Sequence, residues 1–283
     1  MKVGFIGLGS MGAPIARRLA RCGFEVTGCD INAQMLAGFD EPGTQRSADP
    51  MDCARQSDVL GICVRTDAQL EGLVDGGRLF EALGEGGIAI LHSTVSPDLA
   101  RALAAQAKEH GVGFVDVGVS GGGPAAIEGQ LSLFVGGEDA DVERARPWLE
   151  AIGKSLAHLG PVGRGQEGKL LNNLISIANY GMSAAIMDVA QGLGFDIAQL
   201  TEALAAGSAQ SFALRVGPGF VRPPPERDSS DIYMDLHDLL AKDVELCRKL
   251  PPTDQVAMDG LLASCEVMLA RLRRAAQEVQ AGA

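Results

Sequence analysis

The chain has 283 residues, of which 46% are hydrophobic and 4% aromatic, and its 36 acidic and 24 basic side chains give a formal net charge of −12. This composition supports one large or two modest globular domains. The negative charge argues against nucleic-acid partners and anionic membranes, because both bind basic surfaces. No apolar run has the length of a membrane helix without polar interruptions, so we expect a soluble protein with no membrane partner.

The first thirty residues contain the most informative pattern. A strand is predicted at residues 2–7, and a helical pattern follows Gly12. Between them lies Gly7-Leu8-Gly9-Ser10-Met11-Gly12, a GxGxxG motif in which the glycines permit the turn, the approach of a pyrophosphate and close helix–strand packing. The helix N-terminus attracts phosphate charge. We interpret this unit as a dinucleotide-binding motif rather than a glycine-rich structural turn.

An acidic residue, Asp30, ends the second predicted strand, and it also indicates which dinucleotide is bound. A carboxylate there can accept hydrogen bonds from the adenosine ribose and would repel the 2′-phosphate of NADP. Ile31 and Asn32 supply no cation, so NAD is expected and NADP is less favoured. The nearest cations lie on the first predicted helix, where a solvated face is expected: Arg17, Arg18 and Arg21.

Strands and helices alternate through the first 160 residues. The predicted strands are 2–7, 25–30, 58–64, 88–91, 114–118, 131–136 and 156–159, and a helix at 97–110 begins with Ser96 as its cap. The alternation predicts parallel βαβ units in a doubly wound, Rossmann-type α/β domain. Its active site is expected at the carboxyl ends of the strands.

Two polar segments follow strands of this predicted sheet. His92-Ser93-Thr94 ends the fourth strand, where Thr94 is placed to contact the nicotinamide or simply to begin a helix. His92 is a second candidate for catalysis, although no acid is paired with it. Ser120-Gly121-Gly122-Gly123 follows the fifth strand and exposes successive backbone N–H groups that can hold a carboxylate. The alternative is a flexible connection.

The pattern changes at the Gly/Pro-rich segment 160–165. Beyond it no strand is indicated, and helices are predicted at about 167–193, 196–207, 230–249 and 253–278, with a non-helical connection from Gly217 to Pro225. The first of these helices is apolar around much of its circumference, so we expect it to be buried on several sides.

Two pairs of polar residues, each containing a lysine, interrupt these apolar helices. Lys169 and Asn173 are four residues apart and therefore share a helix face, where a lysine can move a proton if its pKa is lowered from about 10.4. A lysine at a helix start is also often a snorkelling surface group. Lys242-Asp243 forms a second charged pair, for which a helix-surface ion pair is the alternative.

The cysteines and histidines show no spacing typical of a metal site. The six cysteines are scattered and include no CxxC pair, so we interpret them as reduced core thiols of a cytoplasmic protein. We expect no metal.

In the order of its motifs the chain resembles the β-hydroxyacid dehydrogenase family, which includes 3-hydroxyisobutyrate dehydrogenase and tartronate semialdehyde reductase. The cofactor motif corresponds to residues 7–12, the substrate motif to 116–123, the catalytic motif to 165–173 and the C-terminal motif to Lys242-Asp243-Val244. The resemblance covers nearly the whole chain and is strongest from 1 to about 195. It implies catalysis by Lys169 with Asn173 as its partner and substrate ligand, cofactor or substrate contacts from Thr94 and Lys242, and a substrate carboxylate held by Ser120, Gly121 and Gly122.

The chain departs from this family in four places. His92 stands where the family usually has an acidic residue, and Val117-Gly118 stand where it usually has Ala-Pro. Residues 217–230 and the segment after Pro251 match poorly. These departures leave the predicted class of reaction unchanged, but they do not allow the individual substrate to be predicted.

The resulting prediction is an NAD-dependent oxidoreductase that interconverts a short β-hydroxy acid and its semialdehyde or keto acid. A Rossmann-type domain is expected at 1–162 and an all-helical substrate and dimerisation domain at 163–283, in a homodimer or homotetramer. One alternative is an imine reductase, whose relatives usually replace the lysine that stands here as Lys169. Another is a noncatalytic nucleotide-binding protein, against which the retained Lys169 and Asn173 argue.

Overall fold

The computed structural model describes residues 1–216 and 230–281, so the connection predicted from Gly217 to Pro225 lies outside the described residues. The chain forms two compact units, Met1–Lys169 and Leu170–Ala283, which we call the sheet unit and the helical unit. The predicted order of a Rossmann-type domain followed by a helical domain is confirmed.

The sheet unit alternates strands with helices. Its strands are β1 (Lys2–Ile6), β2 (Glu25–Cys29), β3 (Gln45–Ser47), β4 (Val59–Ile62), β5 (Ile88–Leu91), β6 (Gly113–Ser120), β7 (Leu131–Gly137) and β8 (Gly153–His158). Its helices are α1 (Gly12–Arg21), α2 (Ala33–Ala37), α3 (Pro50–Arg55), α4 (Asp67–Val74), α5 (Arg78–Leu83), α6 (Pro97–Glu109), α7 (Gly122–Ile127) and α8 (Asp139–Ile152), with a 3₁₀ turn at Asp75–Gly77.

The eight strands lie in the order β3-β2-β1-β4-β5-β6-β7-β8. The strand order reverses between β1 and β4, which is where doubly wound sheets bind ligands. All neighbouring strands are parallel except β6 and β7, which pair antiparallel from Val115–Gly137 to Ser120–Ser132. The predicted doubly wound sheet of parallel βαβ units is thus confirmed, with one antiparallel pair that the sequence analysis did not predict. The segment between β6 and β7 is too short for a parallel crossover.

Two apolar layers cover the sheet, as expected when parallel strands are buried on both faces. One layer packs α1 and α8 against the sheet through Phe5, Leu19 and Trp148. On the opposite face, Leu60 and Leu91 of the strands pack against helix residues such as Leu79 and Leu103. β3 was not predicted, because Gln45–Ser47 has three polar or charged residues and no apolar alternation.

The long helix α9 (Arg164–Gly192) begins in the sheet unit and continues into the helical unit, which also contains α10 (Ile197–Ala206), α11 (Phe212–Val216), α12 (Ser230–Arg248) and α13 (Gln255–Ala281). The core of the helical unit packs α9, α12 and α13 through residues such as Leu174, Val244 and Leu269. None of the described helices is both long enough and apolar enough to cross a membrane.

Helix α9 is not buried on several sides, contrary to the expectation from its sequence. One side is buried through apolar residues along its length: Leu170, Leu174, Ile177, Ala178, Met187 and Ala190. Its other side leaves large apolar side chains about half exposed: Leu171, Ile175, Met182, Ile186 and Val189. Because these positions recur every three, four or seven residues, they form one stripe along the helix.

Candidate functional site

The glycine-rich loop joins β1 to α1 as the sequence predicts. Gly7 has a φ of +93°, which side chains disfavour, and a Cβ at Gly12 would lie 3.0 Å from a ring carbon of Phe5. A Cβ at Gly9 would have no atom within 4 Å, so open space lies above this residue. The first turn of α1 contains no acidic side chain, and no side chain caps it. This loop therefore fits a pyrophosphate at the helix N-terminus.

Asp30 lies directly beside this loop, after β2. One oxygen accepts the Leu8 N–H at 2.7 Å, and the other accepts the Asn32 N–H at 2.7 Å. The carboxylate is thus held by backbone donors on both sides, at the point where the ribose of a bound dinucleotide is expected.

The three arginines of α1 are engaged at other positions. Arg17 donates to the Gly38 carbonyl, Arg18 donates to the Ala151 carbonyl, and Arg21 forms an ion pair with Glu41 at 2.7 Å. Arg21 is exposed, as expected for a solvated face, whereas Arg17 and Arg18 are half-buried.

His92 is a packed core residue of the sheet unit. Its side chain is 3% exposed and stacks on Phe5 and Trp148, with ring centroids 6.0 and 5.9 Å away. Burial lowers the pKa of His92 to about 4, so the ring is neutral at pH 7, with Nδ1 3.3 Å from the Val117 carbonyl oxygen. This environment does not favour His92 as a proton-transfer group.

The segment after His92 is held in place by a residue of α9. The Gln166 side chain accepts the Val95 N–H and donates to the Ser93 carbonyl, both at 3.0 Å. Thr94 lies between these two anchors and is half-buried. Ser96 then caps α6 by accepting the Leu99 N–H, as predicted.

The Ser120-Gly121-Gly122-Gly123 segment lies against the glycine-rich loop. Ser120 is the last residue of β6, and α7 begins two residues later. A Cβ at Gly123 would lie 3.2 Å from the carbonyl oxygen of Ser10. The sheet unit therefore brings together the two loops for which the sequence predicts cofactor and substrate binding.

Lys169 lies next to the same strand. A Cβ added to Gly118 would overlap the Cβ of Lys169 and lie 2.9 Å from its Cγ. Because Gly118 precedes Ser120 by two residues on β6, the lysine belongs to the same region of the sheet unit as the predicted carboxylate loop.

Asn173 and Lys242 lie in the helical unit, where both contact Asp243. The Asn173 amide donates to one carboxylate oxygen at 2.7 Å, and Lys242 Nζ lies 3.0 Å from the other. Asp243 is only 5% exposed. The alternative of an ion pair on the helix surface was therefore wrong, because the aspartate is buried.

Two buried polar residues, Asp116 and Gln166, had no role predicted from the sequence, and Asp243 was predicted only as the ion-pair partner of Lys242. Each is at most 5% exposed, which is unusual for these residue types unless they are hydrogen-bonded. The available signal was a charged or amide side chain within an apolar segment, such as Asp116 between Val115 and Val117.

No disulfide links the cysteines of the described residues, and Cys29, Cys53, Cys247 and Cys265 are buried. Cys22 is exposed, so it is not a core thiol as the sequence suggested. Within residues 1–216 and 230–281, no group of three or more His, Cys, Asp or Glu side chains is placed to hold a metal ion.

Two family models and a bacterial dehydrogenase are similar to this chain in sequence. Residues 2–160 match the family model described as the NAD binding domain of 6-phosphogluconate dehydrogenase. Residues 163–281 match the model described as NAD-binding of NADP-dependent 3-hydroxyisobutyrate dehydrogenase. The chain is 33% identical to an NAD-dependent L-serine dehydrogenase of Pseudomonas aeruginosa, over 88% of this chain and 84% of the relative.

Solved structures give a consistent result. A 3-hydroxyisobutyrate dehydrogenase of Mycobacterium tuberculosis, determined with L-serine, aligns with a TM-score of 0.78 and 25% identity over 99% of both chains. An imine reductase from Pseudomonas sp. aligns with a TM-score of 0.68 and 17% identity, over 94% of this chain and 92% of that one. The second likeness concerns the fold alone.

Proposed function

We propose a function for this chain from the premise that it belongs to the β-hydroxyacid dehydrogenase family. The chain is proposed to be a nicotinamide-dependent oxidoreductase that interconverts a short β-hydroxy acid and its semialdehyde or keto acid. Relatives named for L-serine and 3-hydroxyisobutyrate support this class of small substrate.

The main support for this proposal is the position of Lys169 relative to Ser120. The lysine packs on Gly118, two residues before Ser120 on the same strand, and the glycines after Ser120 lie against the cofactor loop. The groups proposed for proton transfer, carboxylate binding and dinucleotide binding all belong to the sheet unit, which supports this assignment. This is the set of groups that oxidation of a hydroxy acid needs.

Each group has a distinct proposed task. The nicotinamide ring, when bound, supplies the hydride chemistry. Lys169 takes the hydroxyl proton of the substrate in oxidation and returns a proton to the forming alkoxide in reduction. The Ser120 hydroxyl and the N–H groups of Gly121 and Gly122 bind the substrate carboxylate and orient the reacting carbon.

The cofactor is proposed to be NAD rather than NADP. Asp30 supports this preference, since its carboxylate would repel a 2′-phosphate beside the ribose. The arginines of α1 donate to Gly38, Ala151 and Glu41, so they do not compensate that charge. The second matching family model is described by an NADP-dependent enzyme, and the preference here therefore rests on Asp30 itself.

Residues of the helical unit are proposed to contribute to substrate binding and assembly. Asn173 and Lys242 are assigned to the substrate and cofactor as the family resemblance implies, with Asp243 holding both side chains. The half-exposed stripe of α9 supports a homodimer or homotetramer, because large apolar patches are uncommon on monomers. Cysteines that form no disulfide within the described residues support a reducing, cytoplasmic location.

An NADH-fluorescence screen tests this proposal directly. Purified protein is incubated with NAD or NADP and a panel of short β-hydroxy acids, matched alcohols and amines, and the reverse reaction is run with cyclic imines. Turnover of hydroxy acids supports the proposal. Turnover confined to imines would favour the imine reductase alternative, and cofactor binding without any turnover would favour a noncatalytic protein.

A further inference from the structure

Asp116 connects strand β6 to the start of helix α9. Its side chain is fully buried, with Oδ1 accepting the Gly163 N–H at 2.8 Å and Oδ2 accepting the Gln166 N–H at 2.7 Å. Gln166 lies in the first turn of α9 and Gly163 directly precedes that helix, where backbone N–H groups have no partners within the helix. A residue 47 positions earlier in the chain therefore caps the helix that carries Lys169.

The side chain of Gln166 adds a second attachment to the same turn. It bonds Val95 and Ser93, the residues on either side of Thr94, and it is fully buried. The first turn of α9 is thus attached to the end of β5 as well as to β6. Lys169 follows Gln166 by three residues, so both attachments restrict where its backbone lies.

Close packing removes the remaining freedom of this turn. A Cβ at Gly165 would lie 2.7 Å from the Phe134 carbonyl and would overlap the Asp116 carbonyl. A Cβ at Gly118 would overlap the side chain of Lys169. The helix therefore rests on the backbones of β6 and β7, with no space for a shift toward the sheet.

We propose that Asp116 is a positioning residue, which sets the location of Lys169 by holding the first turn of α9 against β6. This inference rests on the proposed function, since it assigns to Lys169 the proton transfer described above. Asp116 does not itself exchange a proton with substrate, because both oxygens accept backbone N–H groups and the side chain is fully buried.

The charge of Asp116 suits this task near neutral pH. Burial raises the pKa of Asp116 to about 6, while the hydrogen bonds from Gly163 and Gln166 and the nearby Arg101 act in the opposite direction. The carboxylate is therefore ionised at pH 7, where each oxygen can accept one N–H. An amide in its place keeps one acceptor and turns an NH₂ group toward a backbone donor.

The test compares Asp116→Asn with Asp49→Asn, which makes the same change at the exposed cap of α3. We expect kcat of Asp116→Asn to fall about 10- to 100-fold, the scale of a small misplacement of a reacting group. The Kd for NADH, measured by fluorescence, should stay within about twofold of the parent, because the glycine-rich loop is unchanged. Asp49→Asn should keep the parental kcat. A folded Asp116→Asn variant with parental kcat would overturn the proposal.

A second pair of variants covers the case in which Asp116→Asn does not fold. Gly118→Ala leaves the cap intact but places a methyl group against Lys169. Gly72→Ala adds a methyl group at an exposed position of α4, where it meets no atom within 4 Å. Gly118→Ala should lower kcat and leave NADH binding unchanged. Gly72→Ala should leave both kcat and NADH binding unchanged. A parental kcat in folded Gly118→Ala would also contradict the proposed placement of Lys169.

One further readout separates this inference from the proposed function. The chain has six lysines, so reductive methylation with ¹³C-formaldehyde gives few NMR signals, and Lys169→Ala assigns the relevant one. We expect the titration midpoint of that signal to differ between the parent and Asp116→Asn but not between the parent and Asp49→Asn. If no substrate is turned over, the proposed function fails, and an unchanged midpoint then rejects the positioning role independently.

Discussion

Asp30 and Leu8 are joined by a 2.7 Å hydrogen bond from the Leu8 N–H to a carboxylate oxygen, so the acidic residue after β2 also holds the glycine-rich loop after β1. Its second oxygen accepts the Asn32 N–H at the same distance. The residue proposed to select the cofactor is thus part of the scaffold of the cofactor loop.

The first prediction concerns cofactor selection. Asp30→Asn keeps a hydrogen-bond acceptor but removes the charge that would repel a 2′-phosphate, so the ratio of kcat/KM for NAD to that for NADP should fall at least about tenfold, the effect of roughly 1.4 kcal/mol. Asp30→Ala should in addition weaken NAD, because the Leu8 N–H loses its acceptor. Initial rates with both cofactors measure the ratio. Equal or better efficiency of the parent with NADP would show that Asp30 does not select NAD.

The elements of the sheet unit were largely predictable, because buried strands and helical periodicity leave clear sequence patterns. Long-range polar contacts were not. Asp116 and Gln166 are ordinary polar residues in the sequence, and only the fold shows that their partners are backbone groups 47 to 73 positions away. The half-exposed stripe of α9 likewise depends on tertiary packing rather than on local propensity.

The second prediction concerns substrate charge. A substrate carboxylate at Ser120 and the following N–H groups would make charge-assisted hydrogen bonds, and its loss would leave desolvated donors without a partner. We expect kcat/KM for an acid to exceed that for its methyl ester or matching alcohol by about a hundredfold or more. A matched series is measured with the parent and with Ser120→Ala, which should narrow the difference. Equal turnover of neutral compounds would exclude a carboxylate site.

The third prediction concerns stability and pH. The pKa of Asp116 is raised from its ordinary 3.8 to about 6 in the folded chain, so the carboxyl contributes stability that is present below about pH 4 and lost as the pH rises through 6. The unfolding free energy of the parent relative to Asp116→Asn should therefore fall by on the order of 2–3 kcal/mol between pH 4 and pH 7. Urea unfolding at both pH values measures this difference. If the difference in unfolding free energy between the parent and Asp116→Asn did not change with pH, burial would not raise the pKa of Asp116.

The fourth prediction concerns assembly. Charged residues at Ile175 and Ile186 would disrupt an interface formed by the half-exposed stripe of α9, so the double variant Ile175→Asp/Ile186→Asp should be monomeric. Gln191→Asp, an exposed position outside the stripe, serves as the control and should keep the parental mass. Multi-angle light scattering at micromolar concentration distinguishes the states. A monomeric parent would contradict the proposed oligomer.

The most direct test of the proposed chemistry is the turnover of Lys169→Ala. We expect kcat with the best hydroxy acid from the screen to fall by about 10²–10⁴, the usual contribution of general acid–base catalysis, while NADH binding is largely retained. Lys154→Ala, which removes an exposed lysine of β8, should leave both unchanged. Near-parental turnover of Lys169→Ala would contradict the assignment of Lys169 as the proton-transfer residue.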